Sequence, residues 1–226
     1  MRRSIPLVNG QYYHVFNRTN DRKPIFITKR ICRRAMITLD YYRYKSPPLK
    51  LSYLLSSGVD KQTEIITNLR NLHEEIVDII SLCLMPNHFH LLLRQNEENG
   101  ISTYLSQFQN SITRYFNTTQ KRIGHLLEGQ FKAVRIESDE QLLHVHRYIH
   151  INPTTSYVVK TFKELLNYEW SSLPQYLGKK EPFCKSDIIL SRFNNKDSYI
   201  RFLSDNIDYQ RKLHLIKHAL IEDIEL

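Results

Sequence analysis

Two histidines, His88 and His90, stand one residue apart in the run CLMPNHFHLLLRQ, residues 83–95. On a strand, side chains at i and i+2 point to one face, so both imidazoles can meet a single metal ion from one rigid element. Phe89 between them points to the other face. On the pair alone, two half-exposed surface histidines are an equally admissible account. The second candidate lies in SDEQLLHVHRYIHINP, residues 138–153. A helix turns about 100° per residue, so Leu142, Val145, His146 and Ile149 fall near one face. Tyr148 stands on its flank, one turn from His144 and one turn from Asn152. A phenol there can attack a phosphodiester, and the amide oxygen of Asn152 can complete a metal site. The alternative is a tyrosine that packs its ring against a sheet. His144 reads either as an acceptor for the phenol proton or as a solvated helix histidine.

These residues need elements to hold them. IVDIISLCLMP and NHFHLLLRQ read as two strands joined at Pro86-Asn87, a turn-forming pair, which makes an antiparallel hairpin. Ser138 with Gln141 three residues on is a capping-box signature, so the tyrosine helix begins near residue 139. Pro153 disfavours helical geometry at Asn152 and ends the helix about there. QYYHVFNRT, 11–19, reads as a strand, and residues 23–44 as a helix with Ile31, Ala35, Leu39 and Tyr42 on one face. Residues 45–60 hold Pro-Pro and Ser-Ser-Gly and read as a loop-rich insertion. Ile65, Leu69, Leu72 and Ile76 recur at helical spacing. Residues 101–119 form a well-marked amphipathic helix and 130–137 a further strand. Residues 161–226 look mainly helical, with a turn-rich junction at YEWSSLPQYLG. The order is mixed and the sheet antiparallel, an α+β arrangement with helices packed on the sheet.

Composition narrows the partners. The 226 residues carry a formal net charge of +9, with 41% hydrophobic and 24% charged residues. Basicity of this order favours an acidic partner, most often nucleic acid. Within residues 1–50 only Asp21 and Asp40 oppose a dozen lysines and arginines. Cys32, Cys83 and Cys184 are odd in number and far apart, which suits neither a disulfide framework nor a CxxC zinc site and points to a reducing compartment. With no apolar leader and no run that approaches a membrane span, the expectation is a cytoplasmic protein without membrane contact.

CLMPNHFHLLL, followed some fifty residues later by RYIHINP, resembles the HUH single-tyrosine transposases, which move insertion sequences as single-stranded DNA. GHLLEGQFKAVRIESDEQLL and YEWSSLPQYL are similar to the branch called REP-associated tyrosine transposases. The resemblance covers roughly residues 10–176. It implies a ferredoxin-like antiparallel sheet with the histidines on a central strand, in a domain over 1–160 interrupted by an insertion at about 45–62. Residues 161–226 are then expected to be a mainly helical C-terminal extension. The resemblance makes His88, His90 and Asn152 ligands of Mg²⁺ or Mn²⁺, and Tyr148 the nucleophile that forms a 5′-phosphotyrosine. Single-stranded or hairpin DNA is the implied partner, and relatives occur both as monomers and as homodimers. Arg18, Arg22, Lys23, Arg114, Lys121, Arg122 and Lys132 are the candidate phosphate contacts. Tyr12, Tyr13 and Phe16 are either base-stacking or core aromatics. At Gln130, after Glu-Gly, the branch leads one to expect arginine. Two other readings stay open: a DNA-binding regulator without catalysis, which needs neither Tyr148 nor metal, and a zinc hydrolase, which needs a third strong ligand and a general base.

Overall fold

The computed structural model describes residues 6–181 and 183–205. In chain order the elements are β1 (Tyr12–Arg18), a 3₁₀ turn (Asn20–Arg22), α1 (Lys29–Tyr41), α2 (Leu51–Ser56), α3 (Val59–Leu72), β2 (Val77–Met85) and β3 (His88–Gln95). They continue with α4 (Gly100–Thr119), β4 (Lys132–Arg135), α5 (Asp139–Thr155), α6 (Phe162–Leu165), α7 (Leu173–Tyr176), α8 (Asp187–Leu190) and α9 (Lys196–Ser204). The four strands form one sheet in the order β2-β3-β1-β4, with every pairing antiparallel. This is the ferredoxin-like α+β arrangement that the sequence implied.

Strand periodicity sorts the two faces. Tyr13, Val15 and Asn17 of β1 lie opposite Leu93, Leu91 and Phe89 of β3. This set meets the layer of α1 and α4, where the Phe89 and Phe108 rings pack edge to face at 5.2 Å. His14, Phe16 and Arg18 lie opposite Leu92, His90 and His88, on the face that carries α5. The core continues through Leu165, Leu173, Tyr176, Ile189 and Tyr199, so residues after 160 pack into the same hydrophobic interior. They also close the sheet. Leu84 donates its amide to the Trp170 carbonyl at 2.8 Å, and Ser172 donates to the Leu82 carbonyl at 3.0 Å. The outer edge of β2 is thereby paired, which explains why every residue of β2, Asp78 and Ser81 included, is buried.

Several boundaries differ from the sequence expectation. The first helix begins at Lys29, not 23, because the amides of Ile25 and Phe26 both donate to the Pro86 carbonyl, and Thr28 caps the helix by accepting from Ile31. The insertion is not simply loop. It contains α2, whose Leu51 and Leu54 pack with Tyr41, Tyr44 and Leu69 in a small second core. In α3 only Leu69 is buried, Leu72 is exposed, and Ile76 lies beyond the helix. The final strand is confined to Lys132–Arg135. Among the described residues of the extension the helices are short, and residues 206–226 of that expectation lie outside the described part. No helix among the described residues is long and apolar enough to cross a membrane.

The tyrosine helix starts where expected. Ser138 Oγ accepts from the Gln141 amide at 3.1 Å. The return bond goes from the Glu137 amide to Gln141 Oε1 at 2.7 Å rather than from the cap residue itself. The helix then runs through Pro153 to Thr155. A proline in the last turn forfeits one backbone bond, while burial of Asn152, Pro153, Thr154 and Thr155 holds the segment in place.

Candidate active site

β3 presents His88 and His90 on the face of α5, with ring centroids 5.0 Å apart. Their cross-strand neighbours are fixed by register: Phe16 and Cys83 flank His90, and Arg18 and Met85 flank His88. Lys132 of β4 lies opposite Phe16 and so joins the same face. Tyr148 reaches over from α5. Its ring stands edge-on to His90 at 5.4 Å and to His14 at 5.9 Å between centroids. Phe16, Arg18, His88, His90, Lys132 and Tyr148 line a cleft of about 490 Å³, together with Arg22, Asn87, Glu128 and Ser156.

The histidines carry lone pairs, not charge. Burial lowers His88 to a pKa of about 4, with the Arg18 charge adding to the effect. Burial also holds His90 well below the ordinary imidazole value, helped by His14 and His88. Their Nδ1 atoms are both engaged. Asn87 gives its amide N–H to the Arg22 carbonyl at 2.9 Å, which leaves Asn87 Oδ1 to accept from His88 Nδ1 at 2.7 Å. His90 Nδ1 lies 3.0 Å from His14 Nε2. Each Nε2 is thus left free of these bonds. Two neutral imidazoles on one face, each oriented through its second nitrogen, are a donor set that suits a divalent ion. Among the described residues no three His, Cys, Asp or Glu side chains gather into a ligand group.

Tyr148 keeps 37% of its surface exposed, at the cleft. Burial of the rest of the ring raises its pKa, and a hydrogen bond from Asn152 opposes that rise by favouring the phenolate. Asn152 itself is 3% exposed and its Oδ1 accepts from Ser156 Oγ at 3.0 Å. Asn152 is thus a hydrogen-bond partner of Tyr148 and is not among the residues that line the cleft. His144 is turned elsewhere, toward Glu140 at 3.5 Å and Arg147 at 2.8 Å.

The candidate phosphate contacts divide. Arg18, Arg22 and Lys132 line the cleft. Arg18 is ion-paired there to Glu128, a carboxylate that the sequence reading did not single out. Lys23 and Arg122 line a groove between the start of α1 and the end of α4, and Arg114 lines its continuation. Lys121 is exposed beside it, with a positive φ of 49°. Gln130 is exposed ahead of β4. Of the three N-terminal aromatics, Tyr13 is core at 1% exposure, and Phe16 reaches the cleft. His14 was also missed. Alternation along residues 11–19 puts it on the face of Phe16 and Arg18, and that signal was present in the sequence.

Residues 54–165 match the family model of IS200-like transposases. This chain belongs to the IS200-like transposase family. The matched span holds His88, His90, Tyr148 and Asn152. The fold is similar to that of a REP-associated tyrosine transposase bound to a REP hairpin, with a TM-score of 0.53 at 15% identity, over 81% of this chain and 88% of the other. A candidate transposase from Deinococcus radiodurans aligns at a TM-score of 0.34 and 15% identity, over 66% of this chain and 95% of that one. No curated protein sequence gives a significant match.

Proposed function

We propose that this transposase cleaves and rejoins single-stranded DNA beside a hairpin, as a member of the REP-associated branch, with Tyr148 as nucleophile. The observation that carries the reading is the placement of Tyr148 edge-on to His90 at the mouth of a cleft lined by His88, Arg18, Arg22 and Lys132. That arrangement sets a phenol, two free imidazole nitrogens and fixed positive charge around one volume, as phosphoryl transfer requires.

Arg18, Arg22 and Lys132 bind the phosphates and orient the strand. The Tyr148 oxygen attacks phosphorus, the bond from phosphorus to the 3′ oxygen breaks, and the phenol proton is balanced by the hydroxyl that leaves. One phosphoester replaces another, so the step reverses when a second 3′ end enters. His88 and His90 would hold Mg²⁺ or Mn²⁺, with Asn152 as the third donor through the second lone pair of its amide oxygen. When bound, that ion supplies charge stabilisation to the non-bridging phosphate oxygens. Asn152 also steadies the phenolate by its hydrogen bond.

The test is covalent capture. Wild-type protein incubated with a labelled DNA hairpin carrying a single-stranded flank should yield a denaturant-resistant adduct on the peptide that contains YIHINP. Tyr148→Phe should bind and fold but give no adduct. An adduct on Tyr115 or Tyr157, or cleavage retained in Tyr148→Phe, would overturn the assignment. DNA binding with no cleavage by the wild type would favour the regulator reading.

A further inference from the structure

The loop from α4 to β4 carries the most exposed large apolar side chain among the described residues, Ile123 at 91%. A single exposed apolar residue is ordinary by itself. The loop that presents this one is firmly held. Lys121 and Gly124 take left-handed conformations, with φ of 49° and 90°. The Arg122 amide donates to the Asn117 carbonyl at 2.8 Å, and its guanidinium donates to Asn117 Oδ1 at 3.0 Å and to the His125 carbonyl at 2.7 Å. Asn117 Nδ2 donates in turn to the Gly124 carbonyl at 2.8 Å. Residues 122, 124 and 125 are thus bonded in place, and Ile123 between them stands on a fixed turn.

The same loop is fastened to the rim of the cleft. Asn20 donates its amide to the Leu126 carbonyl at 3.1 Å and its side-chain N–H to the His125 carbonyl at 3.3 Å. Thr19 pairs with Leu127, and the Glu128 amide donates to the Arg18 carbonyl at 2.8 Å. Arg18 and Glu128 line the cleft, whereas Arg122 lines the groove that also holds Lys23. Ile123 follows Arg122 and lines neither volume. Its Cα lies within about 18 Å of that of Glu128, five residues on. No Asp or Glu occurs between Glu98 and Glu128, so the apolar tip has only cationic and uncharged neighbours in its loop.

We infer that Ile123 is a wedge that caps the last base pair of a DNA stem and separates it from the first unpaired base of the strand that enters the cleft. The inference rests on the reading of the cleft as a DNA site and adds a positioning residue to it. The chemistry of the side chain selects the partner. Isoleucine makes no hydrogen bond, so it reads neither base edges nor phosphates. It fits a flat apolar surface, and DNA offers one only where a base step is opened or a stem ends. Such a face is bordered by phosphates, which suits an apolar tip set between Lys121, Arg122 and His125. The bracing gives the wedge its use. A loose isoleucine would fold aside against the stem, whereas one fixed to the rim of the cleft sets the distance from the end of the stem to Tyr148.

The experiment uses two probes: a DNA hairpin with a single-stranded flank whose first unpaired base is 2-aminopurine, and the flank alone. The 2-aminopurine brightens when it no longer stacks on the stem. Saturating wild-type protein should raise its emission, and saturating Ile123→Ser should leave it near the level of free DNA. By anisotropy, Ile123→Ser should bind the hairpin probe about tenfold more weakly, the low end of what burial of an isoleucine side chain is worth. Its binding of the flank alone should match the wild type. Ile123→Leu should keep both wild-type values. An equal rise in emission with Ile123→Ser would overturn the inference, and so would an equal loss of affinity on both probes. A dimer of the wild type that Ile123→Ser dissolves in sedimentation would place a second copy on Ile123 and overturn it too. If the wild type binds neither probe, the reading of the cleft fails as well. If wild type and Ile123→Ser bind both probes alike, the wedge alone fails.

Discussion

Replacing His14 tests how His90, a proposed metal ligand, is oriented. His14 Nε2 and His90 Nδ1 are 3.0 Å apart, and only one of them can bear the shared hydrogen. If His14 donates, the remaining hydrogen of neutral His90 sits on Nε2 and blocks coordination there. If His90 donates, its Nε2 lone pair is free, and His14 carries its own hydrogen on Nδ1. A bound ion therefore selects the second arrangement and needs His14 as the acceptor. His14→Phe keeps a flat ring of similar size beside Phe16, with which His14 now packs at 5.1 Å, but removes the acceptor. Loss of such a partner costs about 10–100-fold in metal affinity, or roughly 1.4–2.8 kcal/mol. This agrees with the roughly 1–3 kcal/mol cost of an unsatisfied buried donor. The assay is titration of Mn²⁺ against purified protein without DNA, with free Mn²⁺ followed by electron paramagnetic resonance. Kd should rise by about 10–100-fold in His14→Phe, while DNA binding in chelator stays at the wild-type level. His14→Gln, whose Oε1 can take the place of Nε2, should lose less. Equal affinity in wild type and His14→Phe, or an equal loss in both variants, would refute the argument.

Asn152→Ala removes the hydrogen bond that favours the Tyr148 phenolate, so the alkaline rise in cleavage rate should move to higher pH; an unchanged profile with weaker Mn²⁺ binding would instead make Asn152 purely a ligand. Burial holds His14 and His88 near pKa 4, His150 near 3 and His146 well below the ordinary value of 6.5, so all are neutral in the fold. Their stabilisation is complete above pH 6.5 and is lost as pH falls from there toward the folded values, by about 1.4 kcal/mol per pH unit for each histidine. The urea midpoint should therefore drop between pH 7 and pH 5, and a flat midpoint would contradict the buried neutral state. In Gly100→Ala the new Cβ would lie 2.3 Å from the Ile76 carbonyl oxygen, with backbone on both sides. Overpacking of this kind costs about 1–3 kcal/mol, and an unchanged thermal midpoint would show that the α4 entry can shift freely.

What the sequence made legible was local. The hairpin with both histidines on one face follows from period-two alternation and from the turn at Pro86-Asn87. The start of α5 follows from Ser138. The end of α5 was misplaced because Pro153 was weighed against isolated-helix rules, whereas burial of the whole last turn outweighs one lost bond. The insertion hid a helix because Pro47-Pro48 and Ser56-Ser57-Gly58 drew attention from Leu51 and Leu54, one turn apart and both buried. Contacts made across long sequence distances left no periodic trace. The pairing of residues 170–172 with β2, the Arg18–Glu128 ion pair and the split of cations between cleft and grooves depend on topology alone. The placement of Tyr148 lay between these limits. Its helix could be drawn, but its distance to His90 needed the sheet.

That distance is set by the far flank of α5. On a helical wheel His146 and His150 fall within about 40° of each other, and Tyr148 lies on the opposite side. The two histidines are fully buried and hydrogen-bonded to three separate elements. His146 meets Ser81 of β2 at 2.6 Å and Tyr199 of α9 at 3.0 Å. His150 meets Ser172, next to α7, at 2.6 Å and Tyr199 at 3.2 Å. Ser172 also accepts from the Leu82 amide of β2 at 3.0 Å. A turn or slide of α5 that withdrew Tyr148 from His90 would have to break bonds to β2 and to α9 together, among groups that are fully buried. The described residues after 160 are thus tied to the cleft although none of them lines it. Its serine and tyrosine hold one side of the helix whose other side carries the phenol, and β2, which anchors that network through Ser81, is the strand paired with the two histidines. Tyr148 and His90 are held at 5.4 Å because one strand pair and one helix connect the buried polar network to both of them.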